Sequence, residues 1–432
     1  MPDTRLDGQL RDARNRLLAD IDQPDMSTVR LRAGVLRRRR TATRVGGLAM
    51  AVLVAAGVVS LRPWNRADHP GPEVAATPSP TSGPVWMDSA LGLTINGMTQ
   101  SPVYPPGEIT DVEFLDADRG FALVADCQVT QCQQLTVAST ADGGLTWALY
   151  LPPTPLPAGR KAVPELLAFG PDELVLTYPE PYYSADGGNR WLPARPSPPQ
   201  PVALIPQGAQ LRVRPAASGG CAGGVVEVWV FEYGHRGDLA VQPPIDPCWT
   251  NGTPAADGAF WVGGTDRRTG APALAVTRDR GKTWQVPALA GSAAGAPAGS
   301  WAQVSTLGAY AYAVVVGPDG HLGSIYRSVD QGGRFTRTRD GGAPMTPPST
   351  LSGEVVPMLD GRLLVAGTDG RWYISDDDGA TFQKSRIGPR QEMPLVGRLV
   401  RTRAGYVALD LFTAGWAAYS SDGATWRKLH LN

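Results

Sequence analysis

The chain has 432 residues, of which 42% are hydrophobic, so it can bury a large core in one big domain or in two or three smaller ones. Forty lysine and arginine residues balance forty aspartate and glutamate residues, and the formal net charge is zero. Proteins that bind nucleic acids usually carry a basic excess, which this chain lacks. We therefore expect no nucleic-acid partner, although the charge is distributed unevenly along the chain.

The first 44 residues form a basic tail. Apolar residues recur at helical spacing over residues 4–22, which predicts a short amphipathic helix. Seven arginines and no acidic residue follow between residues 30 and 44. Either the tail docks a cytoplasmic partner, or it is a solvated segment whose arginines fix the membrane topology and touch anionic lipids.

Residues 45–61, VGGLAMAVLVAAGVVSL, contain no charged side chain. A helix of that length reaches about 25 Å, close to the thickness of the hydrocarbon layer of a bilayer. Arginines on its N-terminal side place that side in the cytoplasm. We predict one transmembrane helix that acts as a retained signal anchor in the cell membrane. A cleaved signal peptide is the alternative, but its charged region would be 44 residues long.

Residues 62–85 are rich in Pro, Ser and Thr and show neither helical nor strand periodicity. Such composition is typical of a semi-extended spacer. It separates the apolar segment from residues 86–432, which we predict to be the extracytoplasmic domain.

The four cysteines all follow the apolar segment. Cys127 and Cys132 are five positions apart, and Cys221 and Cys248 are twenty-seven apart. An even number of cysteines in an exported domain indicates disulfides, and these two pairs are the most local of three possible pairings. Buried free thiols are the alternative. A zinc site is poorly supported, because neither pair has C-x-x-C spacing and His235 is the only nearby histidine.

Short strand-like runs dominate from about residue 109 to the end, and six related boxes interrupt them. The boxes are TADGGLTW from 140, SADGGNRW from 184, TRDRGKTW from 277, SVDQGGRF from 328, SDDDGATF from 375 and a shorter SSDGATW from 420. Each has a strand-like run on either side, which predicts a hairpin turn. A second pair of strand-like runs precedes each of these hairpins, so each repeat contains four short strands.

The box aspartates are spaced 44, 93, 51, 47 and 45 residues apart. The gap of 93 is two periods, and residues 225–244 within it read as strand, turn and strand with an eroded box over 233–238. Seven repeats of four strands predict an all-β fold, a seven-bladed β-propeller of four-stranded antiparallel blades. The first and last repeats each have four strands of their own, so no strand need be shared at closure. Residues 86–108 are then available to pack across the seam.

Within a box, the Ser or Thr hydroxyl and the Asp carboxylate can accept backbone N–H groups, and Gly supplies a positive φ. The terminal Trp or Phe fills the seam between blades. The predicted structural residues are Thr140, Asp142, Gly144, Trp147, Ser184, Asp186, Gly188, Trp191, Thr277, Asp279, Gly281, Trp284, Ser328, Asp330, Gly332, Phe335, Ser375, Asp377, Gly379, Phe382, Ser420, Asp422, Gly423 and Trp426.

The pattern [ST]-x-D-x-G-x-x-[WF] resembles the Asp-box, or BNR, repeat of sialidases, xyloglucan-cleaving glycosidases, sortilin-type receptors and photosystem II assembly-factor propellers. Five copies match fully, and the copy from Ser420 to Trp426 lacks one residue. The resemblance covers about three quarters of the chain. It implies a propeller whose boxes are structural and lie on turns away from the ligand face, so the boxes themselves indicate no catalysis.

A sialidase requires three converging arginines, a Tyr activated by a Glu, and an acid/base Asp, as the resemblance implies. The F-R-I-P segment that carries the first arginine in that family is missing, and residues 86–120 contain only Arg119. Arg212, Arg214, Arg267 and Arg268 are interpreted as surface residues. Another glycosidase would need two carboxylates about 5 to 10 Å apart, for which Asp116, Glu173 and Asp410 are candidates.

Asp376, Asp377 and Asp378 superficially resemble a calcium loop, but Gly379 and three uncharged residues follow where further ligands are needed. We predict no metal and no cofactor. The sequence favours a monomeric, membrane-anchored propeller that binds a protein or glycan ligand as a scaffold, assembly or sensing module. The alternative is a cell-surface glycoside hydrolase, sialidase-like by resemblance.

Overall fold

The computed structural model describes residues 86–96, 108–128, 131–151, 165–177, 181–194, 201–216, 219–292, 296–341, 347–386, 398–409 and 416–430. The predicted tail 1–44, transmembrane helix 45–61 and spacer 62–85 lie outside these ranges. In the ranges above, no helix is both long and apolar enough to cross a membrane.

The described residues form seven sheets, which we call blades 1 to 7 in chain order, and a hairpin precedes the first blade in the chain. The hairpin is β1 (Trp86–Asp88) and β2 (Leu93–Asn96). Blade 1 contains β3 (Glu108–Phe114), β4 (Gly120–Gln128), β5 (Gln131–Thr140) and β6 (Ala148–Tyr150). Blade 2 contains β7 (Leu166–Ala168), β8 (Leu174–Leu176), β9 (Tyr182–Ser184) and β10 (Leu192–Pro193).

Blade 3 contains β11 (Gln210–Arg214), β12 (Val225–Trp229) and β13 (Arg236–Asp238), with a 3₁₀ turn at Glu232–Gly234. Blade 4 contains β14 (Ile245–Thr250), β15 (Phe260–Asp266) and β16 (Pro272–Thr277). In each of these blades a single β-bridge occupies the position of a fourth, outermost strand. Val202 pairs in parallel with Leu239 in blade 3, and Gln285 pairs with Val276 in blade 4.

Blade 5 contains β17 (Trp301–Leu307), β18 (Tyr310–Val316), β19 (Leu322–Ser328) and β20 (Thr336–Arg339). Blade 6 contains β21 (Val356–Pro357), β22 (Leu363–Ala366), β23 (Trp372–Ser375) and β24 (Gln383–Lys384). Blade 7 contains β25 (Leu399–Thr402), β26 (Gly405–Leu409), β27 (Trp416–Ser420) and β28 (Thr425–His430).

Seven buried apolar clusters lie between neighbouring blades, one at each seam, including the seam between blades 7 and 1. Strands this short cannot bury both of their faces alone, so each sheet packs against two others. The closing seam contains Phe114 stacked on Tyr419 with ring centroids 4.0 Å apart. The ring is therefore closed, and the predicted seven-bladed, all-β propeller with four-stranded blades is confirmed.

Blades 1 and 7 are each built from consecutive strands, so no strand is exchanged at closure. The hairpin instead extends blade 7 outwards: β2 pairs in parallel with β28, which gives that sheet six strands. Leu93 and Ile95 are fully buried with residues of blades 6 and 7. The part of 86–108 that the structure describes next to them thus covers the seam between blades 6 and 7, not the closing seam.

Candidate functional site

All six boxes form the turn between the third and fourth strands of a blade, or the corresponding edge in blade 4, and share one hydrogen-bond pattern. In the first box, the Thr140 hydroxyl accepts the Gly144 N–H at 2.7 Å and donates to Asp142 Oδ1 at 2.9 Å. Asp142 Oδ1 also accepts the Thr146 N–H at 2.9 Å. The side chains thus replace the backbone partners that the turn lacks.

The carboxylates of the boxes are used inside the turns. In the third box, hydrogen bonds from the Thr283 hydroxyl and N–H lower the pKa of Asp279 to about 2. In the fifth full box, Asp377 accepts hydrogen bonds from Ser375 and Thr381, while Asp378 accepts one from Tyr312 and pairs with Arg327. No metal-binding group of three or more His, Cys, Asp or Glu side chains occurs in the part of the chain that the structure describes.

The aromatic residue that ends each box lies in the seam with the preceding blade. The seam members are Trp147, Trp191, Trp284, Phe335, Phe382 and Trp426. A Cβ at Gly332 would run into the indole of Trp261, which shows how closely a box packs on its neighbour. The boxes therefore hold each outer hairpin on the seam with the preceding blade.

One of the two predicted disulfides is described by the structure. Cys221 and Cys248 are bonded, with Cα atoms 4.7 Å apart. Cys127 and Cys132 lie opposite each other in the register of β4 and β5. Their side chains, and hence the second disulfide, lie outside what is described.

A cavity of about 570 Å³ lies where the innermost strands of the blades meet. Its wall includes residues of β3, β11, β14, β17 and β25 together with residues next to β7 and β21. It carries four carboxyl groups, three guanidinium groups and two indoles: Asp111, Glu113, Glu165, Glu354, Arg212, Arg398, Arg401, Trp249 and Trp301. Since every blade contributes to this wall, we call it the central channel.

Three of the channel carboxyls have raised pKa values because they are desolvated. Burial raises the pKa of Glu113 to about 7, although the Arg403 N–H donates to its Oε1 at 3.0 Å. Burial also raises the pKa of Asp111, against the hydrogen bond from the Leu166 N–H. The pKa of Glu354 is raised by the same effect, against the nearby charge of Arg401. Desolvation thus opposes ionisation at three of the four channel carboxyls.

The three channel arginines differ in how far they are neutralised. Arg212 lies 3.6 Å from Glu165, its closest carboxylate among the described residues. Arg401 makes a long contact of 3.5 Å with the Thr306 hydroxyl. Neither Arg398 nor Arg401 forms an ion pair with any residue in the described ranges. Among the described residues, Arg212 is therefore the only one of the three with an ion-pair partner.

A hydrogen bond crosses from blade 4 to blade 6 along the channel wall. The Trp249 indole N–H donates to Glu354 Oε1 at 3.3 Å, although the residues are 105 positions apart. Trp301 of blade 5 lines the same cavity. Two indoles and a carboxylate are thus brought together by three different blades.

The candidates chosen from the sequence are only partly at this site. Arg212, interpreted as a surface residue, lines the channel, whereas Arg214 pairs with Glu227 and Asp238, and Arg267 donates to the Pro243 carbonyl. Arg268 is exposed on the turn after β15.

Two of the three proposed carboxylate candidates, Asp116 and Glu173, do not line the channel. Asp116 is held by Arg119 in the turn between β3 and β4, and Glu173 lies on the turn between β7 and β8. Asp410 lies outside the described residues. Asp111 and Glu113 were missed, although alternation with buried Val112 and Phe114 was available as a signal, since an inner strand turns alternate residues to the channel.

No protein-family model and no curated protein matches the chain, so membership of the Asp-box family stays a prediction. Among solved structures, YCF48 bound to D1 peptide matches with 14% identity over 72% of this chain and 92% of that chain, at a TM-score of 0.41. YCF48 from Cyanidioschyzon merolae matches with 14% identity over 72% and 95%, at 0.38. The GH74 xyloglucanase from Xanthomonas campestris matches with 12% identity over 74% and 72%, at 0.26. Similarity this low carries no argument about ligand or activity.

Proposed function

We propose that the propeller is a recognition module that binds a protein or glycan segment in the central channel and does not transform it. The observation that carries this proposal is the mixed lining of a 570 Å³ cavity by carboxyls, guanidiniums and indoles. Cavities of this size suit small ligands or segments of larger ones. Aromatic faces supply apolar contact, and paired donors and acceptors supply orientation.

In the same proposal, residues 45–61 anchor the chain in the cell membrane, residues 62–85 act as spacer, and the propeller works outside the cytoplasm as a monomer. The sequence features given above support this placement. A module that binds without turnover fits a scaffold, assembly or sensing role.

The test is binding of the full chain to an array of glycans and envelope peptides, with products analysed in parallel. We expect Arg401→Ala and Glu354→Gln each to lower the affinity for the ligand about tenfold, which is the effect of losing one charge-assisted contact. Arg268→Ala, which changes an exposed residue on a turn, is the matched control. Binding that survives both channel substitutions would place the ligand elsewhere and contradict the proposal.

A second candidate, glycoside hydrolysis, is favoured by the pair Asp111 and Glu113. Because they are two positions apart on β3, both side chains lie on the same face of the strand, with Cα atoms about 7 Å apart, and a glycosidase needs two carboxyl groups close together. A pKa of about 7 suits Glu113 to donate a proton to a leaving group. The sialidase version has less support, because no tyrosine is among the described residues that line the channel.

Turnover distinguishes the two candidates. Release of 4-methylumbelliferone from a panel of glycosides, sialic acid included, that is lost in Glu113→Gln would establish the hydrolase and overturn the binding-only proposal. Inertness of the whole panel, together with a bound ligand, supports recognition without chemistry.

A further inference from the structure

The disulfide between Cys221 and Cys248 lies next to the channel wall. Cys248 belongs to β14, where the pairing with β15 shifts register between Pro247 and Trp249. Pro247 pairs with Gly264 and Trp249 with Gly263, so Cys248 is the extra residue of a β-bulge. A bulge bends its strand and re-aims the side chains beside it.

Cys221 comes from a different blade. It lies in the glycine-rich connection between β11 and β12, on the blade 3 side of the seam. This connection packs tightly on the bulge, because a Cβ at Gly224 would approach the Pro247 carbonyl oxygen to 2.5 Å. The disulfide thus ties a connection of blade 3 to the irregular point of the innermost strand of blade 4.

Trp249 follows the bulged residue directly, so the bulge determines the direction of its side chain. It lines the channel and donates its indole N–H to Glu354 of blade 6. In a regular antiparallel ladder, a shift by one residue would send this side chain to the other face of the sheet. The position of the indole therefore depends on the bulge.

We propose that the Cys221–Cys248 disulfide is a positioning element for the central channel, which holds the bulge that keeps Trp249 on Glu354. A dithiol reductant supplies two electrons and two protons, so that the disulfide becomes two thiols and the reductant becomes a disulfide. Reduction then lets the bulge relax, and the indole leaves Glu354. An effect of reduction on ligand binding rests on the proposed function of the channel, whereas the movement of the Trp249 indole does not.

The test uses ¹⁹F NMR of the full chain labelled with 5-fluorotryptophan, with Trp249→Phe to assign the resonance of that residue. We expect the Trp249 resonance to shift by more than its linewidth in Cys221→Ser/Cys248→Ser, while resonances of blades 1, 6 and 7 stay in place. An unchanged Trp249 resonance would overturn the proposal, because the disulfide would then only fasten the connection. Movement of every tryptophan resonance would also overturn it, by showing a global role.

A second measurement avoids the risk that the double variant fails to fold. In Cys127→Ser/Cys132→Ser, a dithiol reductant acts on the single remaining pair, and the folded chain is observed before and after reduction. We expect Glu354→Gln, which keeps an acceptor at Oε1, to preserve the oxidised position of the resonance, and Glu354→Ala to mimic reduction. A Trp249 resonance that shifts neither on reduction nor in Glu354→Ala would refute the proposed dependence of the Trp249–Glu354 contact on the disulfide. Neither readout needs a ligand, so failure of channel binding is distinguishable from failure of this inference.

Discussion

The residue just before the recurrent box glycine adopts the left-handed region in three boxes without being glycine. These residues are Arg280, Gln331 and Asp378, with φ of 64°, 58° and 60°. The first two boxes have Gly143 and Gly187 there, also at positive φ. A side chain at this φ costs about 1 kcal/mol. Contacts made by the side chain can offset that cost.

Gln331 and Asp378 form a matched pair for testing that compensation. The Gln331 N–H donates to the Ala309 carbonyl, a backbone contact that glycine keeps. The Asp378 side chain, in contrast, joins blades 5 and 6 through Tyr312 at 3.0 Å and Arg327 at 3.0 Å. We expect Gln331→Gly to leave the free energy of unfolding within about 0.5 kcal/mol of its original value and Asp378→Gly to lower it by about 1 kcal/mol. Urea unfolding measures the free energy of unfolding of both variants. Equal effects would contradict the conclusion that the Asp378 side chain, and not that of Gln331, offsets the strain.

The raised pKa of Glu113 predicts a pH dependence of stability. A native pKa of about 7, against 4.5 in the unfolded chain, means that the native state holds a proton that the unfolded state has lost. Stability contributed by the neutral carboxyl is therefore present below pH 4.5 and lost as the pH rises through about 7. We expect Glu113→Gln to gain about 1 to 3 kcal/mol over the original chain between pH 5 and 8.

Chemical unfolding at several pH values measures that difference. Glu173→Gln, at an exposed turn of blade 2, is the control for a Glu-to-Gln substitution outside the channel. A difference between Glu113→Gln and the original chain that does not change with pH would show that Glu113 is ionised throughout.

At the scale of elements, the hairpin of β1 and β2 behaves in the structure as a part of the ring. Asp88 accepts hydrogen bonds from the Arg386 N–H at 2.6 Å and the Ser385 hydroxyl at 3.2 Å, and Arg362 donates to the Leu91 carbonyl. These contacts reach blade 6, whereas the strand pairing reaches blade 7. The hairpin thus ties two blades from outside.

If the hairpin is integral, its apolar residues should matter as much as those of the blades. Leu93 and Leu364 are both fully buried in the same cluster. We expect Leu93→Ala and Leu364→Ala to lower the free energy of unfolding by similar amounts, about 2 to 4 kcal/mol each. A loss for Leu93→Ala below about 1 kcal/mol would instead identify a strap that detaches before the ring unfolds.

For the molecule as a whole, sequence patterns predict what the local backbone requires. The boxes can be recognised because their turns need Asp, Gly and a hydroxyl at fixed spacing. Asp111, Glu354 and Arg401 come from different blades and have no common local pattern, so only the closed ring brings them together. The channel could not be predicted for this reason.

Blade 3 also has a feature that local sequence patterns do not predict, namely the chain order of its strands. Strand, turn and strand over 225–244 were predictable from alternation, and β12 and β13 occupy part of that range. Its outer position is filled by Val202, which precedes the innermost strand β11 in the chain. A chain order of this kind depends on packing between blades and leaves no periodic signal.

The absence of a full box from blade 3 leads to a prediction about where the ring opens. Six seams contain a box aromatic, whereas the seam between blades 2 and 3 is filled by Leu167, Phe169, Val175 and Trp229. Among the described residues this is the smallest of the seven buried clusters. Less buried apolar surface gives a lower cost of local opening.

Hydrogen exchange followed by mass spectrometry measures that cost blade by blade. We expect amides of β8 and β12 to exchange at least about tenfold faster than those of β18 and β26, which corresponds to about 1.4 kcal/mol in opening free energy. Trp229→Ala should widen the difference, because it removes the largest side chain of the weak seam, whereas Phe335→Ala should raise exchange in blades 4 and 5 instead. Uniform protection around the ring would mean that all seven blades open together, and that closure, not any single seam, sets the stability.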